Sequence, residues 1–151
     1  PIDNFKLSYS LRVREEDEWL NWIDGNELAV YDLTQKIISF NMNWFEGRKH
    51  EVRLKSQFVA LDAENPISLI SNSDGYLFNH TSDVKPFTQG IASFQIRYKY
   101  EIAPLSYIYA VYTKGGRVYD DENERNTSKV FKDPWNNPDN EIFSLKFRLK
   151  F

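Results

Sequence analysis

The nine residues FSLKFRLKF at positions 143–151 decide the fold. Phe143, Leu145, Phe147, Leu149 and Phe151 alternate strictly with Ser144, Lys146, Arg148 and Lys150. Successive side chains of a strand point to opposite faces, so a period of two gives one wholly apolar face and one strongly basic face. Two surroundings reward that split. A protein core can lie behind the apolar face with water in front, or lipid can lie behind it with a watery lumen in front.

Working outward, the same chemistry recurs. In residues 4–14, NFKLSYSLRVR, Phe5, Leu7, Tyr9, Leu11 and Val13 oppose Lys6, Ser8, Ser10, Arg12 and Arg14. A second strand is predicted over 27–45, with Ile38, Phe40, Met42 and Trp44 on one side and Ser39, Asn41 and Asn43 on the other. A third runs over about 50–61, with Val52, Leu54, Phe58 and Ala60 against Glu51, Arg53, Lys55 and Gln57. A fourth, IASFQIRYKYEI at 91–102, sets Phe94, Ile96, Tyr98, Tyr100 and Ile102 against Ser93, Gln95, Arg97, Lys99 and Glu101. The fifth, at 107–113, is apolar or aromatic on both sides and its facing stays open.

Between these strands the connections are predicted to alternate. The acidic stretch EEDEWLNWIDGN, residues 62–90 and residues 114–140 read as long loops, while EGRK and APLS are tight turns. Soluble meanders seldom carry loops beyond about 12 to 15 residues. Outer-membrane barrels carry them by rule on the outside, with short periplasmic turns. Strands near 9 to 11 residues also suit a bilayer crossing. On that layout Phe5, Trp44, Tyr100, Tyr107 and Phe151 fall at the periplasmic end, where an aromatic girdle belongs.

Composition permits this reading. Aromatics are 16% of the 151 residues, and cysteine is absent, so there is neither a disulfide framework nor a thiolate metal site. No apolar run is long enough for a transmembrane helix. A mean hydropathy of −0.60 does not argue against membrane strands, whose alternation averages out. A net charge of −3 gives no reason to expect nucleic acid. The chain opens at Pro1 directly into a patterned strand, and six strands are fewer than the roughly eight of the smallest membrane barrels. The expected fold is therefore all-β: an antiparallel up-and-down transmembrane barrel, of which residues 1–151 are the C-terminal six strands.

The order NWF, GRKHEVRLKSQFVALDAE, FQIRYKYEIAPLSYIYAVYTKGG, FKDPWNNPD and a terminal alternating strand resembles the C-terminal barrel of a family of large bacterial outer-membrane proteins. Members join an N-terminal domain similar to family 9 carbohydrate-binding modules to an uncharacterised β-barrel. The likeness runs over residues 19–151, and RYKYEIAPLSYIYAVYTKGG is its most specific part. It implies an anchor or pore for a carbohydrate-binding or other ligand-binding domain that lies outside this sequence. The family barrel has no established catalytic residues, so the resemblance assigns none.

Two sets of residues carry the functional expectation. Arg12, Arg14, Arg53, Lys55, Arg97, Lys99, Lys146 and Arg148 are expected to face the lumen and attract an anionic or carbohydrate ligand, as charged rings do in anion pores. The competing expectation is a plugged barrel whose charges pair with acidic groups. Phe147, Leu149 and Phe151 resemble the terminal signal that the barrel assembly machinery captures by pairing with a strand edge. The other partners are then outer-membrane lipid and the remaining strands of the same barrel.

Other motifs carry less. The acidic clusters at 15–18 and 120–124 lack EF-hand spacing and read as solvated loops, so no metal is expected. His50 and His80 are the only histidines and no Gly-x-Ser-x-Gly elbow accompanies them, so neither an enzyme nor a cofactor is expected. Asn79 and Asn126 each begin an Asn-x-Ser/Thr triplet, a pattern too short to weigh. The alternative to the barrel is a soluble β-barrel or sandwich that uses its aromatics on a ligand.

Overall fold

The computed structural model describes residues 4–120 and 127–151. Its elements are β1 (Phe5–Asp24), β2 (Glu27–Glu46), β3 (His50–Ser71), β4 (Leu77–Asn79), β5 (Phe87–Ala103), β6 (Ser106–Asp120), α1 (Thr127–Asn136) and β7 (Asn140–Arg148). All strands join one antiparallel sheet in the order β1-β2-β3-β5-β6-β7, and β4 pairs with β3 beyond the start of β5. The chain is thus all-β around a single up-and-down meander. The sheet is open, with β1 and β7 as its two edges.

Register fixes the faces. Across the sheet Phe5 pairs with Trp44, Trp44 with Val52, Val52 with Tyr98, Tyr98 with Ala110 and Ala110 with Leu145. Partners directly opposite each other share a face, so one apolar face runs unbroken over six strands. The facing expected from alternation is the facing observed.

The strands are longer than their alternation predicts. The acidic stretch after Arg14 is not a loop, because β1 continues through it to a two-residue turn at Gly25 and Asn26. The reason is a bulge. Glu16 pairs with Leu33 but Trp19 pairs with Tyr31, so one extra residue sits in β1, and Glu18 adopts φ 58 there. A bulge breaks the period of two and erases the strand signal while pairing carries on. In β3 the same happens at Asn65 and Pro66: Glu64 pairs with Asp32, Ile67 with Val30, and Asn65 has φ 49. A proline is accommodated at such an irregularity because it needs no ladder hydrogen bond. Asn65 Nδ2 also donates to Asp32 Oδ2 at 2.8 Å, which ties the bulge to β2.

Two further expectations change. The stretch 114–140 is not one long loop: β6 extends to Asp120, and α1 precedes β7. The terminal strand ends at Arg148 rather than Phe151, because its partner β6 begins at Ser106 just after the turn, and Tyr107 pairs with Arg148. Beyond that point the backbone N–H of Lys150 donates to the Ser106 hydroxyl at 3.1 Å.

The buried core lies at the hairpin end of the basic face. Ala29, Tyr31, Leu33, Ala63 and Phe87 form it, with Trp19, Leu61 and Val84 packed around. Trp19 on β1 and Phe87 on β5 are three strand spacings apart, roughly 14 Å at about 4.8 Å each. Their rings nevertheless lie 6.4 Å apart, meeting over the small residues Ala29 and Ala63. The basic face, over which these side chains lean together, is termed the concave face and the apolar one the convex face.

Helix α1 packs on the opposite, apolar face against β3, β5 and β6. Phe131 and Trp135 lie against Phe58, and Trp135 meets Phe94 edge-on at 5.5 Å. The close approach depends on two glycines. A Cβ on Gly90 would strike the Val130 carbonyl oxygen, and one on Gly116 would strike the Pro134 carbonyl. Only the residue with no side chain lets helix backbone lie directly on strand backbone.

Candidate functional site: two opposed faces of one sheet

The concave face gathers the expected basic residues. Arg53 sits opposite Asn43 and Arg97, Lys55 opposite Asn41 and Gln95, and Lys99 opposite Glu51 and Tyr109. Lys146 pairs with Tyr109, Arg148 with Tyr107, and Arg12 with Ile37. Arg14 lies two residues along the same face, where its guanidinium meets Glu16 at 2.7 Å. All eight share one face, interleaved with amides and hydroxyls: Ser39, Asn41, Gln57, Ser93, Gln95, Thr113 and Asn140 line an open groove on it with Lys55.

Neutralisation on this face is partial. Glu51 takes both Arg53 and Lys99, the second at 3.8 Å. Arg12, Lys55, Arg97, Lys146 and Arg148 form no ion pair among the described residues. Arg53 and Arg97 stand directly opposite each other, which concentrates positive potential rather than cancelling it. Such a surface attracts anions and hydrogen-bonds polar solutes.

Two aromatics belong to the same face, although alternation alone left the fifth strand open. Tyr107 and Tyr109 lie 6.0 Å apart, and Lys99 Nζ stands 4.4 Å over the Tyr107 ring. Their facing becomes legible only from pairing, through Tyr109 with Lys99 and Lys146. A basic and aromatic surface can hold a flat or ring-shaped anionic ligand by stacking and charge together.

The convex face carries large apolar side chains open to the surroundings. Tyr9 is 65%, Phe143 68% and Phe147 58% exposed, with Leu7, Leu11, Val13 and Leu145 exposed alongside. Charged residues end this apolar band on β2 and β3, at Lys36 and Asp62, and interrupt it on β6 and β7, where Lys114 and Glu141 share the register line of Phe94, Phe40 and Tyr9. From Phe5 to Val13 the band covers eight rises of about 3.4 Å, roughly 27 Å along the strand. Aromatics cluster at its other end, where Phe5, Trp44, Tyr98 and Tyr100 fall beside the two tight turns. His50 joins them, stacked on Tyr100 at 4.8 Å and bonded through Nδ1 to the Tyr98 hydroxyl at 2.6 Å.

The remaining expectations fall as follows. Phe147 is in β7 on the apolar face, paired with Ile108, whereas Leu149 and Phe151 lie past its end. The acidic residues 15–18 are part of β1, not a loop. Residues 121–124 of the second acidic cluster, and Asn126, lie outside the described residues. His80 approaches Glu27 at 3.7 Å, and its backbone N–H donates to Ser68. Among the described residues no three His, Asp or Glu side chains converge as metal ligands. The sequence reading missed α1 with Phe131 and Trp135; the signal was the apolar pattern of V-F-x-x-P-W, masked by the surrounding Asp, Asn and Pro. No protein-family model matches the chain, and no curated protein or solved structure is significantly similar to it.

Proposed function

We propose that the chain is the C-terminal part of a transmembrane β-barrel in a bacterial outer membrane, acting as anchor or pore for a ligand-binding or carbohydrate-binding domain outside this sequence. One observation carries the reading: an apolar face continuous over six strands, whose large side chains stand exposed on β1 and β7 while α1 covers part of β3, β5 and β6, backed by a basic and polar face. Soluble monomers rarely expose apolar patches beyond a few hundred Å². Lipid on the convex side and water on the concave side reward both faces at once. The open edges of β1 and β7 then pair with the remaining strands of the barrel, since unpaired backbone groups in hydrocarbon each cost several kcal/mol. Phe147, Leu149 and Phe151 serve the assembly machinery, and the eight basic residues draw an anionic or carbohydrate solute to the lumen.

A second reading has its own support. Helix α1 docks on the apolar face, as a helix does in a soluble domain that covers its sheet. It reaches β3, β5 and β6 only, which leaves the apolar side chains of β1 and β7 uncovered.

Cysteines at Phe147 and Lys146 separate the two readings. In a lipid-embedded barrel a bilayer-restricted spin relaxation agent reaches the first, and a membrane-impermeant thiol reagent applied from the lumen reaches the second. Equal water access at both positions, in protein that stays soluble without detergent, would sink the membrane assignment.

A further inference from the structure

We propose that the groove between α1 and the apolar ends of β2 and β3 holds one acyl chain of a phosphorylated lipid, with Lys132 and Lys114 holding its phosphate. The proposal rests on the membrane reading above and assigns a specific lipid site within it. The groove is a hollow of about 630 Å³. Phe40, Leu54, Phe58, Phe94, Phe131 and Trp135 form its walls. Those walls accept hydrocarbon, with Ser56 and Asn136 as the uncharged polar residues beside them.

Charge selects the occupant. Lys132, exposed on α1, is the one charged residue lining the groove among the described residues. Lys114 Nζ stands 4.8 Å over the Trp135 ring, which forms part of the same wall. Glu141, the carboxylate paired with Lys114 in the sheet, is engaged by the Tyr112 hydroxyl at 2.6 Å. An apolar slot with two ammonium groups beside it fits an amphiphile whose chain enters the slot and whose head is anionic.

Lys114 interrupts the apolar face of β6 on the register line of Phe94, Ser56, Phe40 and Tyr9, and that face continues past it through Gly116 and Val118 beneath α1. Lys132 and Lys114 thus set the level at which the lipid phosphate meets its acyl chain in the groove. The glycines that seat α1 on the sheet fix the helix at this height. Its aromatic side faces the wall and Lys132 faces the phosphate layer.

The test uses the full-length protein in nanodiscs of phosphatidylcholine containing a minor fraction of brominated lipid. Bromine on the acyl chains quenches a tryptophan in contact with them. Trp135 is expected to be quenched more by brominated phosphatidic acid than by brominated phosphatidylcholine at equal mole fraction, and Trp135→Phe should remove that difference. Lys132→Ala and Lys114→Ala should each weaken the preference roughly five-fold, the effect of one basic residue at an anionic surface, and Lys132→Arg should restore it. Equal quenching by the two lipids, in protein that has inserted, overturns the lipid site alone. A preference that survives removal of both lysines also overturns it. Failure of the protein to float with vesicles overturns the membrane reading and this site together.

Discussion

The seating of α1 on the sheet can be tested without reference to any ligand, by giving Gly90 and Gly116 a methyl group. Each added Cβ would collide with a helix carbonyl, that of Val130 or of Pro134. Neither oxygen can move without moving the helix. Overpacking of this kind costs about 1 to 3 kcal/mol per site, so two independent sites would cost about 2 to 6 kcal/mol. The helix limits the sum. Val130, Phe131 and Trp135 are each half-buried on the sheet. At roughly 1.5 to 3 kcal/mol for full burial of such a side chain, docking contributes about 2 to 4 kcal/mol. Once one glycine is replaced and α1 has lifted, the second replacement meets nothing. Gly90→Ala and Gly116→Ala are therefore expected to be strongly non-additive, with the double variant close to the worse single one. Denaturant unfolding of the three variants supplies the energies, and hydrogen exchange of the peptide covering 127–136 should show protection lost there and kept in β2 and β3. Additive losses with undiminished protection of α1 would refute the argument that these two glycines seat the helix.

Three other outcomes are expected. Ile96→Arg, on the apolar face, should destabilise the membrane-inserted protein by about 2 to 4 kcal/mol if it lies near the bilayer midplane, and Gln95→Arg on the concave face should be tolerated; equal harm in refolding titrations would contradict the facing. Tyr31 is 2% exposed and lies beyond the apolar band, and burial first, with Tyr119 second, holds its phenol above the usual value of 10.0. The folded state thus retains a proton that the unfolded chain loses, so stability should be level below pH 10 and fall as pH rises past it; Tyr31→Phe should flatten that fall, and a titration unchanged by the substitution would remove Tyr31 as its source. Deleting Phe151 should slow insertion in cells while leaving stability in detergent nearly unchanged, because the residue is fully exposed and outside β7; normal insertion with a large stability loss would make it a packing residue.

Facing was legible in the sequence because it is a local property. Whether Arg97 and Ile96 point apart depends on two adjacent residues and the pleat, and no distant contact can reverse it. Length was not legible, because continuing a strand depends on a partner. Pairing runs on from Glu16 past the bulge to Trp19 because β2 lies alongside it, although the local pattern has already failed. The aromatic core was hidden for the same reason: the bulge at Glu18 turns Trp19 to the side of Tyr31 and Phe87, and a reader keeping strict alternation from Arg14 would place it on the other. Tyr107 and Tyr109 could be assigned to the basic face only through Lys99 and Lys146, which belong to other strands.

Residues 149–151 carry this distinction to its limit. Leu149, Lys150 and Phe151 keep the alternation of β7, yet β6 begins at Ser106 and offers them no ladder. Lys150 bonds instead to a side-chain hydroxyl, and the Leu149 and Phe151 side chains are left exposed. The pattern therefore adds no pairing with β6. Alternate apolar side chains on an extended segment with free backbone groups are what a strand-capturing partner recognises. The proposed assembly role therefore draws its support from the residues the sheet does not use: in Phe147 the two roles overlap, and in Leu149 and Phe151 they separate.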